Sequence, residues 1–176
     1  AVVKNNIITV SSVTADYVLP FAEGFENTTT FANDWTIQTE NGNGWQTTTS
    51  ASFTGNRSLR VYNLTNSAGD ITEAISPSYD LSTMTNPKLT YKWAFAQKLT
   101  GGNDQFLILY SLDCGGTWTP KAFKAGASMA TGTATNSGFT PTSAADWDSA
   151  SVDLSSLASE THQLNIQNPQ QGHQKT

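Results

Sequence analysis

The chain has 176 residues, nine Lys and Arg against fourteen Asp and Glu, and a formal net charge of −5; its basic residues never cluster beyond two neighbouring positions, which excludes a surface that tracks nucleic-acid phosphates. No apolar run approaches the ~20 residues of a membrane span, and the N-terminus lacks the basic and apolar regions of a signal peptide, so the chain reads as soluble, with any export signal removed or outside this sequence. Thr (26), Ser (18) and Asn (14) dominate over a charged fraction of only 13%, a mixture that favours strands and turns over helices.

Residues 1 to 19, "AVVKNNIITVSSVTADYVL", form β-branched clusters separated by Asn and Ser, as in an extended lead-in or edge strand. Pro20 opens a compact domain expected over residues 20 to 168, and residues 169 to 176 form a polar tail. Within the domain, short segments follow a strand idiom: "DWTIQT", "GWQTTT", "SLRVYNL", "DITEAISPSYDLS", "KLTYKWAFAQ", "DQFLILYSLD", "WTPKAFKAG" and "WDSASVDLS". Turn residues such as Asn41-Gly42, Gly55-Asn56, Asn86-Pro87 and Gly115-Gly116 separate them. Leu89, Tyr91, Trp93 and Phe95 alternate with Thr90, Lys92, Ala94 and Ala96, which places four large groups on one face of a half-buried strand with Trp93 in the core. "FLILY" at 106 to 110 is continuous, as in a central strand covered on both sides. No segment sustains a 3.6-residue period, so helices are expected to be short or absent. The fold class is therefore all-β, an antiparallel two-sheet jelly-roll sandwich.

"DQFLILYSLDCGGTWTPKAF" is a hairpin closed by a tight Asp-Cys-Gly-Gly turn in which glycine supplies positive φ. A phosphate loop would need a helix and a Lys-Ser/Thr pair after the glycines, and neither follows. Cys114, the single cysteine, has no His or other cation near it in sequence and is expected to be inert and packed inward.

Catalytic signatures are missing. There is no His-Glu-x-x-His element and no Gly-x-Ser-x-Gly elbow, and His162 and His173 lie in the C-terminal region. Glu23, Glu26, Asp34, Glu40, Asp104, Asp113, Asp146 and Asp148 could pair in space, although scattered acids in an acidic chain read first as solvation. The chain is therefore read as a non-enzyme. Trp45 and Trp147 lie in turn-rich, polar surroundings ("NGNGWQ", "AADWDS") where a ring can stack on a sugar or a partner, or else plug an end of the sandwich. Segment 126 to 146 has the composition of a long loop. The sequons at Asn27, Asn56 and Asn63 are what chance yields in so Asn- and Thr-rich a chain.

Taken in order, "PFAEGFEN", "DWTIQT", "NGWQ", "DITEAISPSYDLS", "KLTYKWAFAQ", "GNDQFLILYSLDCGGTWTPKAFKAG" and "WDSASVDLSSL" resemble the MAM-like jelly-roll domains of exported Bacteroidetes proteins. These are the cleaved-adhesin or choice-of-anchor J modules of gingipain haemagglutinin regions and pappalysin-like zinc metalloproteases. The resemblance covers residues 19 to 157. It implies an extracellular or outer-surface location reached by type IX secretion, and an adhesive or substrate-targeting role toward a protein or glycan ligand. It also implies structural calcium, for which Glu26 of "FEN" and Asp104 before "FLILYS" are the matching acids; the residues alone read first as solvated strand-end acids. The chain departs from the family at its end. "THQLNIQNPQQGHQKT" lacks the family's Gly-Asn-aromatic-Ile-Asp-Asp pattern, so the closing strand is expected to be missing and a sheet edge to be left open, covered by residues 5 to 13 or by a neighbouring molecule. Three functional readings follow: an adhesion or targeting module, a carbohydrate-binding module with aromatic contacts, and a structural subunit that self-associates through a sheet edge.

Overall fold

In the computed structural model, which describes residues 17, 19–100 and 102–158 and the backbone of 161–169, the period-two stretches become strands. A seven-residue helix α1 (Thr28–Asp34) is followed by β1 (Thr36–Thr39), β2 (Gln46–Thr48), β3 (Ser58–Arg60), β4 (Ile71–Asp80), β5 (Lys88–Trp93), β6 (Gln105–Ser111), β7 (Thr119–Ala125), β8 (Asp148–Asp153) and β9 (Thr161–Pro169). Helix α1 is short and polar; Asn27 starts it by accepting the amides of Thr29 and Thr30, each at 3.1 Å, as an N-cap must.

Five strands form one antiparallel sheet in the order β1-β4-β9-β6-β7. Against it stand two antiparallel pairs, β2-β3 and β5-β8. The layers meet through the ring of Tyr91 on β5, 5.5 Å from that of Phe106 on β6, and through a core of Leu81, Leu154 and Leu157 packed by Leu19, Tyr79, Leu89, Tyr110 and Val152. The architecture is the expected antiparallel sandwich with little helix.

Local rules explain several details. The β5 residues alternate between exposed Lys88, Thr90 and Lys92 and half-buried Leu89, Tyr91 and Trp93, while Phe95 falls beyond the strand's end. Strand β6 lies inside the sheet, and its consecutive residues Ile108 and Leu109 are 1% and 6% exposed, so both of its faces are covered. Proline has no amide to give to a ladder and is confined to irregular positions in an interior strand. Pro77 of interior β4 obeys this: Ile75 pairs with Asn165 and Ser78 with Gln163, and the register shift between them takes up the Ser76-Pro77 pair.

Two expectations are corrected. The closing strand is present: β9 pairs with β4 on one side and β6 on the other, in the middle of the larger sheet, so among the described residues the edges of that sheet are β1 and β7. The family's signature is not required because bonding along both edges of a strand uses backbone groups, which every residue but proline carries in full. Of the lead-in, Tyr17 makes a parallel bridge to Tyr79, while residues 5 to 13 lie outside the described residues. The second correction concerns Cys114, which is exposed and adopts φ 57° beside Gly115 at φ 84°. With Gly116 N donating to Asp113 O at 3.2 Å, these are the two central residues of a hairpin turn of the I′ kind, so the cysteine sits at the tip and not in the core.

Candidate functional site

The two strand pairs do not close over the larger sheet. Between them and it lies a cavity of about 1630 Å³, walled by β2, β3, β5 and β8, by residues 19–25 and by Ser76 and Ile108 of the five-stranded sheet. Segment 126–146 contributes to the wall with Phe139 and Pro141, and it is held in place where Thr131 N donates to Phe95 O at 2.8 Å and Thr135 N to Gln97 O at 2.9 Å.

Both tryptophans singled out in the sequence line this cavity. Trp147 precedes β8 and meets the ring of Phe53, edge to face, at 6.3 Å between centroids. Phe53 comes from the β2–β3 connection and is 38% exposed. Over its ring stands Lys92 Nζ from β5, 4.0 Å from the centroid, so this string of three side chains spans the gap between the two strand pairs. Trp45 leads into β2; its indole Nε1 is buried without a hydrogen-bond partner, as is Nε of Arg60 on β3, another lining residue. Arg60 lies 5.7 Å from the centre of the Tyr62 ring. On the other side, Lys124 of β7 holds its ammonium 4.2 Å from the centre of the Trp93 ring, whose Nε1 donates to Met129 O at 2.9 Å. Cations held against ring faces keep their charge and gain roughly 0.5 to 1 kcal/mol at exposed sites.

The two acids assigned to calcium by resemblance have different partners. Glu26 is exposed, and its Oε1 accepts the amides of Asn56 at 2.8 Å and Arg57 at 2.9 Å, which fastens the turn around Gly55. Just before it, Phe25 is held at φ 61° by its packing, edge-on to Phe31 and Trp35 at 5.6 and 5.7 Å. Asp104 lines the cavity; burial pushes its carboxyl above the ordinary aspartate range, against the opposing pull of an Asn63 hydrogen bond and the Lys98 charge. Among the described residues no three His, Cys, Asp or Glu side chains come together in a group that could hold a metal ion. Asp113, Asp146 and Asp153 each serve a turn, accepting from Thr117, from Thr142 and Ser143, and from Ser155.

Sequence reasoning missed Phe53, Arg60, Lys92 and Lys124. Lys92 did carry a signal, since it occupies the outward register of β5, but nothing local says which neighbour that register faces.

No protein-family profile and no curated protein matches the sequence. Solved structures do match. One, from work on the promiscuous specificity of carbohydrate-binding modules of the β-sandwich superfamily, superposes with a TM-score of 0.53 at 16% identity, over 86% of this chain and 55% of that one. The present chain thus spans little more than half the length of that structure. The K2 cleaved adhesin domain of Lys-gingipain superposes with a TM-score of 0.51 at 17% identity, over 78% of this chain and 86% of that one. The chain has a cleaved-adhesin-like jelly-roll fold. At such identities a fold is what is shared, and within this jelly roll the chemistry must be argued from the cavity itself.

Proposed function

We propose that this domain is a non-catalytic module that binds carbohydrate in the cavity between its layers, as part of a secreted or cell-surface protein for which it serves adhesion or substrate targeting. The observation that carries the reading is the convergence of Trp45, Trp147 and the partly exposed ring of Phe53 on one cavity. Flat apolar faces beside hydrogen-bond donors suit sugar rings, whose C–H faces stack while their hydroxyls bond at the edges. The carbohydrate-binding and adhesin jelly rolls that share this fold support the reading as analogues. Structural calcium with Asp104 and Glu26 as its acids is a second element of the proposal: a cation beside Asp104 would offset the desolvation its carboxyl suffers.

A glycan array probed with the whole chain and with its Trp45→Ala and Trp147→Ala variants tests the binding. Retention of one glycan class, lost on Trp147→Ala, is expected; an array with no retained glycan, or equal retention by both variants, overturns the reading. For calcium, the melting temperature is compared in calcium and in EGTA. A rise with calcium that Asp104→Asn abolishes is expected, and identical melts dismiss the metal.

A specific feature favours a second reading, self-association. Among the described residues the larger sheet ends on β7, whose Phe123 is 58% exposed, and edge strands with apolar side chains invite a second copy. A sedimentation coefficient independent of concentration would dismiss it.

A further inference from the structure

The sorting of charge in this chain is uneven. Among the described residues, six of the seven Lys and Arg line the cavity, namely Arg57, Arg60, Lys88, Lys92, Lys98 and Lys124, whereas only two of the twelve acids do, Glu23 and Asp104. Scattered at random over an acidic surface, the few cations would sit beside carboxylates, because gathering like charges costs energy that pairing them would gain. Lys98 and Lys88 do face acids, acting on Asp104 and Asp153. Lys92 and Lys124, by contrast, are seated on the rings of Phe53 and Trp93, and Arg60 on that of Tyr62. An aromatic face orients a cation without neutralising it, so the charge stays available to a ligand.

Resting on the carbohydrate-binding reading, we propose that the cavity takes an anionic polysaccharide, one whose sugars carry carboxylates or sulfates. A cation seated on a ring matches one unit of such a chain, in which each pyranose face lies next to its own acidic substituent. Lys92 with Phe53 and Trp147, on the outward register of β5, and Lys124 with Trp93, on its inward register, are two such pairings of charge and stacking surface. The acidic remainder of the molecule repels a polyanion, so the cavity is where binding is concentrated. An acidic protein segment would use the cations but would leave the stacking surfaces of Trp45 and Trp147 without sugar rings.

The test is calorimetric titration of the whole chain with four probes of matched length: oligogalacturonate, a sulfated dextran oligosaccharide, uncharged galacto-oligosaccharide and oligo-glutamate, each at low and at high salt. We expect one anionic glycan to bind about tenfold or more tightly than the uncharged one, with an affinity that falls steeply as salt rises. Whichever of carboxylate and sulfate is preferred identifies the anion. The Lys92→Gln/Lys124→Gln pair removes that preference, and Lys92→Arg/Lys124→Arg restores it, which separates lost charge from lost folding. Equal affinity for charged and uncharged sugars at both salts overturns the inference and leaves carbohydrate binding standing. Oligo-glutamate binding as tightly as the glycans overturns it in favour of a protein partner. Silence with every glycan removes the parent reading along with it.

Discussion

Oε1 of Glu26 accepts the backbone amide of Arg57 at 2.9 Å, a contact that ties the segment before helix α1 to the turn leading into β3. The same oxygen leaves no room beside Gly55, which adopts φ 66°: a Cβ there would lie 2.3 Å from it. Gly55→Ala should therefore destabilise the domain by about 1 to 2 kcal/mol, part from the left-handed backbone and part from the clash. Glu26→Ala should cost about 1 kcal/mol through its two lost amide contacts. In the double variant the clash is gone, so the two losses should sum to more than the double variant shows. Urea denaturation of the four proteins measures this; strict additivity would contradict it.

Trp93 joins two layers, donating Nε1 to the Met129 carbonyl at 2.9 Å and presenting its face to Lys124. Trp93→Phe keeps a ring but strands the carbonyl of Met129, a buried residue. A loss of about 1 to 3 kcal/mol is expected, read as a lower urea midpoint. An unchanged midpoint would show that the bond contributes nothing.

At the tip of the β6–β7 hairpin, Cys114 holds a conformation that glycine adopts without strain. Cys114→Gly should raise the melting temperature slightly, by the equivalent of roughly 0.5 to 1 kcal/mol. The exposed thiol should react with a disulfide reagent in the native protein as fast as in urea. Protection of the native thiol would mean that the tip is covered.

Acid should unfold the domain through its turns. The carboxyls of Asp113, Asp146 and Asp153 are held below the ordinary aspartate range, chiefly by the Thr117 amide, the Thr142 amide and the Ser155 hydroxyl respectively. Each binds its proton less tightly folded than unfolded, so its contribution is complete above the unfolded value near 4 and fades as pH falls through the folded one. Melting temperature should change little from pH 7 to 5 on account of these groups and drop below about pH 4. Replacing all three by Asn should flatten the drop; an identical acid slope would place the sensitivity elsewhere.

Much of this fold is written in short-range pattern. Leu89, Tyr91 and Trp93 declare one face of β5 by alternation, "FLILY" declares an interior strand, and Asp113 through Gly116 declare a hairpin. The tryptophans of the cavity were also legible, because an aromatic ring among turn residues has no obvious strand partner. What sequence withheld depends on distant neighbours. The family's terminal pattern was mistaken for the strand itself, and β9 forms without it from pairing on both edges. Glu26 also fastens a turn about thirty residues away in the chain, through Asn56 and Arg57, a contact that no local pattern announces. Lys92 and Phe53 belong to different strand pairs, and only the folding that brings those pairs side by side reveals them as partners.

The place of β9 gives the order of synthesis a role in folding. A polypeptide leaving the ribosome N-terminus first can assemble β1 on β4, and later β6 on β7, yet these half-sheets share no hydrogen-bonded seam of their own. The strand that zips them together, β9, follows both half-sheets in the chain. Until it arrives, β4 and β6 each offer a naked ladder to any extended segment nearby. A nascent domain of this design is most vulnerable to mispairing while β9 is still inside the ribosome, and protected once that strand has docked.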